Sequence, residues 1–338
     1  MAFAPTLNQL INGQDLSFAE MQALMRQVMS GELTHAQMAA ILVALRIKGE
    51  SVDEIAAAAS VMRELSTKVA TLASPHLIDT CGTGGDGIQT FNVSTVSALV
   101  AAAAGAKVAK HGGRSVSSSC GSADVLEALG VNVNLTAAQV ASAVEEIGIG
   151  FMFAPNHHSA MKHAAPVRRE LGVRTLFNLL GPLTNPANAK RQIMGVFSPA
   201  LTVKLAHVLQ QLGSEHVLVV CGADGMDEIS FTGDSHVAEL KNGQVSAYTI
   251  NPAQFGLPLH TLSSIQIDNA EQSKAMILAV LKGQLGAARD IVLLNAGAAI
   301  YVAGLADSLA AGINKAAEVI DQGLALAKLN ALQEYAAR

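Results

Sequence analysis

The chain has few cysteines, no basic cluster and no long apolar run, and each shortage removes a class of function. Cys81, Cys120 and Cys221 are an odd, sparse set. They point to reduced thiols and a cytoplasmic location, not to a disulfide framework. The 22 basic residues are outnumbered by 27 acidic ones, giving a net charge of −5. Without a run of lysines and arginines the chain lacks the electrostatic footprint of a nucleic-acid binder. The longest apolar stretch, Val96 to Ala109, is broken by Ser97, Gly105 and Lys107. It is too short to span a bilayer and predicts a buried helix followed by a strand. No charged n-region followed by an apolar h-region opens the chain, so no secretion signal is expected.

What is present suggests two parts. Half of the 338 residues are hydrophobic, enough for one large domain with a smaller lobe. The first 70 residues carry three capping boxes, Ser17/Glu20, Thr34/Gln37 and Ser51/Glu54, each before an apolar-periodic run. Gly31 and Gly49 stand where those helices should stop. In the second of these runs Met38, Ile41, Leu42 and Leu45 share one face. From Leu77 the pattern changes to strands at 77–80, 107–110, 150–153, 193–197 and 216–221, then a β-rich stretch at 236–249. Helices lie between them, one opened by a further capping box at Thr136/Gln139. Such alternation predicts an α/β lobe whose mostly parallel central sheet is covered by helices on both faces. Ser308 to Ala337 is Ala/Leu-rich and helical. Residues 156–186 interrupt the alternation with what resembles two helices, which would return to the N-terminal helices. The predicted small all-helical lobe is thus 1–72 joined by about 157–187, and the large lobe is 73–156 with 188–338. A cleft between lobes is the expected site.

Asp79-Thr-Cys-Gly-Thr-Gly-Gly-Asp86-Gly87 follows the first strand, and Thr90-Phe-Asn-Val-Ser-Thr95 leads into a helix predicted over 94–105. Strand, glycine loop, hydroxyls and helix N-terminus together signal a phosphate site. No Lys-Ser/Thr pair follows the last glycine, which excludes a P-loop. The glycine spacing also fails the dinucleotide fingerprint. An aspartate in such a loop should bond a sugar hydroxyl, a metal-bound water or the loop's own N–H groups. Lys110-His-Gly-Gly-Arg114 follows the second strand, with Ser115, Ser117, Ser118, Ser119 and Ser122 beyond it. Two cations and several hydroxyls suit a diphosphate; the plainer alternative is a solvated turn with a helix cap at Ser122. Asp227-Glu228 lies past the 216–221 strand, where two carboxylates suit Mg²⁺, with Ser94 as a further ligand or an N-cap. Of Arg168 and Arg169, one can face the cleft as a carboxylate binder, while the other reaches solvent or pairs with Glu170. His111, His157, His158 and His163 have no spacing typical of a zinc site. Cys81 lacks a histidine partner, and no nucleophile–base pair stands out, which points to catalysis by positioning and electrostatics.

Taken together, these motifs, with Pro166-Val-Arg-Arg-Glu-Leu-Gly172 and Asn178-Leu-Leu-Gly-Pro-Leu-Thr-Asn-Pro186, resemble the anthranilate phosphoribosyltransferases of the nucleoside phosphorylase-like fold. The resemblance spans nearly the whole chain. It implies transfer of the phosphoribosyl group of phosphoribosyl diphosphate to the nitrogen of anthranilate, in tryptophan biosynthesis. It implies that Gly82, Gly85, Asp86, Thr90, Asn92, Val93, Ser94, Thr95, Lys110, His111, Gly112, Gly113, Arg114, Ser115, Val116, Ser117, Ser118 and Ser122 hold the donor. Anthranilate would meet Gly82, Gly113 and Arg168, and Mg²⁺ would meet Ser94, Asp227 and Glu228. A homodimer through the helical lobe is implied as well. One position departs: the family's Lys-His-Gly-Asn-Arg reads Gly113 here in place of Asn. A pyrimidine nucleoside phosphorylase of the same fold is an alternative, but its Lys-His-Ser-Thr-Gly-Gly loop is absent. A second alternative is a relative that has lost catalysis and binds nucleic acid; the acidic charge and intact Asp227-Glu228 oppose it.

Overall fold

A computed structural model describes residues 3–115 and 119–338; Val116, Ser117 and Ser118 lie outside the described residues. Four helices open the chain: α1 (Phe3–Ile11), α2 (Phe18–Ser30), α3 (His35–Lys48) and α4 (Val52–Leu65). All three expected capping boxes form, from Ser17, Thr34 and Ser51, each side chain accepting the N–H three residues on. Gly31 ends α2 in the left-handed region.

The large lobe then alternates: β1 (Leu77–Thr80), α5 (Val93–Ala103), β2 (Lys107–Gly112), α6 (Ser122–Ala128), α7 (Ala137–Ile147) and β3 (Ile149–Phe153). Thr136 and Gln139 cap α7 as expected. Short helices follow, α8 (Ala154–His157), α9 (Ala165–Leu171) and α10 (Phe177–Leu180), and then β4 (Arg191–Gly195), α11 (Ala200–Gln211) and β5 (His216–Gly222). The hairpin β6 (Ser235–Lys241) and β7 (Gln244–Ile250) precedes α12 (Ala270–Leu281), α13 (Ala287–Val302), α14 (Leu309–Asp321) and α15 (Leu324–Ala336).

The seven strands form one sheet in the order β3-β2-β1-β4-β5-β6-β7. Pairing is parallel from β3 to β5 and antiparallel from β5 to β7. Along β5, Leu218 and Val220 join one hydrophobic core, while Val217, Val219 and Cys221 join another. Burial on both faces is why this strand is an unbroken apolar run. The first core packs α5, α7 and α12–α15 against one face of the sheet. The second joins α11 to the N-terminal helices, so the helical lobe shares its core with the sheet's other face.

Residues 156–186 differ from the two helices expected. They form α8, α9 and α10 with two single-turn 3₁₀ segments, Ser159–His163 and Gly181–Leu183. Pro155, Pro166 and Pro182, with the left-handed Gly172, divide what would otherwise be longer helices. Ala164, Val167, Leu179, Leu180 and Leu183 are buried in the same core as Met25, Leu42 and Ile55 of α2–α4.

Candidate functional site

Strands β1 and β4 are neighbours, but the chain leaves β1 toward β2 and β4 toward β5. The direction of winding therefore reverses between them, and a crevice opens beyond their C-terminal ends. The glycine loop grows from β1 at this point. Its start still pairs with β4: Cys81 N–H donates to Ile193 O at 3.2 Å and Thr83 N–H to Gly195 O at 2.9 Å.

Asp227 enters the same point from the turn after β5. A Cβ on Gly195 would stand 1.5 Å from the Asp227 carbonyl, and one on Gly82 would stand 2.6 Å from its carboxylate. At Gly195 the clash is with backbone, so only glycine permits this approach there; at Gly82 a side chain would displace the Asp227 carboxylate. Asp227 Oδ2 accepts Gly84 N–H at 2.7 Å, and Asp227 N–H donates to Asp86 Oδ2 at 3.4 Å. Asp86 Oδ1 accepts Ile88 N–H at 3.1 Å, so this aspartate bonds loop N–H groups, one of the roles expected of it. Asn295 of α13 clamps the residue after Glu228, accepting Ile229 N–H and donating to Ile229 O, both at 2.9 Å. Burial first, and then the Asp86 charge, push the Asp227 carboxyl well above the usual range; burial and then Asp227 do the same to Glu228. A hard dication would relieve three crowded carboxylates, and an oxygen-only donor set suits Mg²⁺. Among the described residues no three acidic, histidine or cysteine side chains converge as a ready metal cage. Mg²⁺, which keeps waters and takes substrate oxygens, needs no such cage.

Ser94 lies inside the first turn of α5, one residue past Val93, so it is not the N-cap; Asn92 is. Its hydroxyl accepts from Lys110 Nζ at 3.2 Å, and the same ammonium bonds the Thr80 carbonyl. Lys110 is therefore buried beneath the crevice, tying β2 to β1 and α5. Asn92 spends its amide inside the protein, donating to Cys120 O at 3.0 Å and accepting from Ser273 at 2.7 Å. Thr90 forms a bridge with Gln266. Thr95 is buried, its hydroxyl without a partner among the described residues. Arg114 is exposed and held by Asp124 at 3.0 Å and Glu127 at 2.6 Å. Asp124 also accepts Ser115 N–H and Gly121 N–H. The cap of α6 is consequently Gly121, and Ser122 instead aims its hydroxyl at Gly113 O. Ser122 Oγ also occupies the space beside Gly112.

His111, His157 and His158 are buried together near this loop. His111 and His158 pack edge to face, 5.1 Å between ring centroids. The His111 ring contacts Gly181 O through Nδ1 at 3.2 Å, and its backbone N–H donates to Asp79 Oδ1 at 3.1 Å. The Nε2 atoms of all three have no partner among the described residues. Burial holds His111 down at about 3 and His158 at about 4, with the other histidine rings adding to the effect. Cys81 has its thiol pushed far above the ordinary range by burial, which fits a bystander.

Arg168 is half-buried on α9, its guanidinium 5.4 Å from the Phe177 ring centre, whereas Arg169 is exposed. The expected ion pair with Glu170 does not form: among the described residues neither arginine is paired with a carboxylate. Adjacent helical positions diverge by about 100°, so Arg168 keeps its cation available on the inner side. Two supports lie within the quoted motifs but were given no role from the sequence. Asp79, its carboxyl pushed up to about 6 by burial, accepts from Asn185 Nδ2 at 2.7 Å. Asn185 also donates to Ala109 O and accepts Ala187 N–H, fixing β2 against the 181–187 turn.

Comparison with known proteins agrees with this geometry. Residues 74–326 match the α/β domain of a glycosyl transferase family and residues 4–66 its helical bundle domain. An anthranilate phosphoribosyltransferase of Methylobacillus flagellatus is 63% identical over 97% of this chain and 96% of its own. That of Chromobacterium violaceum is 62% identical over 96% and 95%. The crystal structure of the Thermus thermophilus enzyme superposes with a TM-score of 0.93 at 43% identity, covering 98% of this chain and 99% of that one. A Saccharomyces cerevisiae structure in complex with phosphoribosyl diphosphate and Mg superposes at 0.89, with 28% identity over 99% and 98%.

Proposed function

Since this chain belongs to the anthranilate phosphoribosyltransferase family, we propose that the crevice between β1 and β4 binds phosphoribosyl diphosphate with Mg²⁺ and that Arg168 receives anthranilate. The reaction transfers the 5-phosphoribosyl group to the anthranilate nitrogen and releases pyrophosphate, a step of tryptophan biosynthesis. The C1–O bond to the diphosphate breaks, its electron pair leaving with pyrophosphate. The nitrogen lone pair forms the new bond to C1, and the nitrogen then loses a proton.

The observation that carries this assignment is the carboxylate pair at the switch point, wrapped by the glycine loop. Asp227 and Glu228, with Ser94, would hold Mg²⁺, which supplies charge neutralisation for the departing diphosphate. The loop N–H groups and the N-terminus of α5 bind phosphate oxygens. Lys110 adds positive potential from below, while its bonds keep Ser94 and Thr80 in register. Arg114 reaches the diphosphate once it leaves Glu127. Gly82, Gly85, Asp86, Thr90, Asn92–Thr95 and the 110–115 loop with Ser122 form the donor site, some of them as supports. The guanidinium of Arg168, which meets no carboxylate among the described residues, pairs with the anthranilate carboxylate and turns the amine toward C1. The neutral histidines exclude water and charge from the acceptor side. No strong base is required when C1 develops oxocarbenium character before the nitrogen arrives.

We assign 1–72 with about 157–187 to the helical lobe, supported by their shared core. Ile11 and Ile47, exposed on α1 and α3, support a homodimer through that lobe. Three free thiols support a cytoplasmic enzyme.

The test is loss of anthranilate fluorescence with phosphoribosyl diphosphate and Mg²⁺, alongside pyrophosphate release. Arg168→Ala should raise the anthranilate KM about ten-fold or more and leave the donor KM near its original value. An equal rise in both would remove Arg168 from the acceptor site.

A further inference from the structure

Arg174 lies outside every motif used above, in the loop between α9 and α10. It is exposed, yet its side chain is engaged twice. One guanidinium nitrogen donates to the carbonyl of Gly85, 89 residues earlier and at the heart of the glycine loop. The guanidinium also lies over the ring of Phe197, 4.1 Å from its centre. Phe197 is two residues past Gly195, the glycine against which Asp227 packs. Three segments therefore meet on one side chain: the loop after β1, the turn after β4, and the segment that carries Arg168. Gly85 has φ +76° and makes no other side-chain contact within 4 Å of where a Cβ would stand. Gly84 and Asp86 on either side are held by Asp227, and the described side chain that holds Gly85 itself is Arg174.

We propose that Arg174 is a positioning residue for the donor. By holding the Gly85 carbonyl while stacked on Phe197, it turns that carbonyl toward the helical segment. The N–H groups of the loop are thereby left facing the crevice. Planar stacking fixes the guanidinium so that the bond to Gly85 costs little side-chain freedom. The inference rests on the crevice being the site of phosphoribosyl diphosphate, and it adds that the acceptor-bearing segment orders the donor loop. Arg174 acts through Gly85 and need not touch the diphosphate.

Arg174→Ala, Phe197→Leu and the double variant separate these roles. Both KM values are measured for each, with melting temperature as a control for folding. Loss of one charge-assisted bond should raise the donor KM about ten-fold in Arg174→Ala. The anthranilate KM should change by less than roughly two-fold, and the melting temperature should hold. Phe197→Leu should raise the donor KM in the same sense. The double variant should be no worse than Arg174→Ala, because both substitutions break one unit. An unchanged donor KM in Arg174→Ala would overturn the proposal, as would a silent Phe197→Leu, the signature of a direct arginine–diphosphate contact. Effects that multiply in the double variant would overturn it too. Calorimetric titration of phosphoribosyl diphosphate with Mg²⁺ alone gives the same comparison without an acceptor. Failure of the wild type to consume anthranilate while it still binds the donor would count against the transfer reaction and leave the role of Arg174 to be judged by that titration.

Discussion

The carboxylate of Asp227 accepts a hydrogen bond from the backbone N–H of Gly84 at 2.7 Å, so the residue we assign to Mg²⁺ also shapes the glycine loop. Without a dication, this bond must hold together a site in which Asp86, Asp227 and Glu228 crowd one another. Asp227→Asn keeps an oxygen for Gly84 N–H and removes one of the charges. The metal-free variant should melt roughly 2 °C or more above the wild type, while Mg²⁺-dependent turnover collapses. Melting curves with and without Mg²⁺, beside the fluorescence assay, check both halves. A lower melting temperature would mean that the charged hydrogen bond outweighs the repulsion.

His111 makes stability depend on pH on the acid side. Its folded-state value of about 3 lies below the ordinary 6.5, held down by burial and then by His158 and His157. Between those two values the unfolded chain binds more protons than the folded one. Stability is therefore intact above about pH 6.5 and falls as pH drops toward 3, by up to about 1.4 kcal/mol per pH unit for one group. His111→Gln should flatten the wild-type decline between pH 6.5 and 5 in thermal melts. An unchanged slope would show that the histidine is not held neutral.

Arg114, which we assign to the diphosphate, grips Glu127 through both terminal nitrogens at 2.6 and 2.8 Å. Since the pair is exposed, releasing it is cheap, and Glu127→Gln should lower the donor KM by up to about five-fold. The gain should shrink as ionic strength rises. A raised donor KM would instead mean that Glu127 presents Arg114 to its ligand.

Local signals were legible in the sequence, and contacts across long separations were not. Each capping box joins residues three apart, so Ser17, Thr34, Ser51 and Thr136 announced their helices directly. The parallel strands were visible from their apolar stretches, most clearly in β3 and β5, which are buried throughout; β1, β2 and β4 also carry the buried polar Asp79, Lys110 and Gln192. The β6–β7 hairpin was resolved only as a β-rich stretch, although Asn242-Gly243, with φ of +52° and +73°, is a strong turn signal. Arg174 and Asn185 reach partners 89 and 106 residues away and leave no periodic trace. The glycine loop was legible as a loop between the first strand and a helix N-terminus, and the structure places it beyond the C-terminal ends of β1 and β4. What the sequence hid is how Lys110, Asn92 and Arg114 are spent on the protein itself.

Gly113 is where the chain departs from the family motif, and the structure leaves the position open. Its φ is not in the left-handed region, so an L-residue meets no backbone strain there. Among the described residues a Cβ would find only Ala154 Cβ, at 4.0 Å. Its carbonyl is already engaged by Ala123 N–H at 3.1 Å, so the backbone path should not move on substitution. Gly113→Asn would then add a carboxamide beside the buried histidines, with a donor and an acceptor for anthranilate. One neutral hydrogen bond, on the order of 1 kcal/mol, corresponds to about a five-fold lower anthranilate KM. The donor KM should stay within roughly two-fold, because the loop N–H groups and cations are untouched. Steady-state kinetics of this single variant against both substrates decide the matter. An unchanged or higher anthranilate KM would show that the amide does not reach the acceptor from this backbone. The unpaired Nε2 atoms of His111 and His158 would then be the groups left to recognise it.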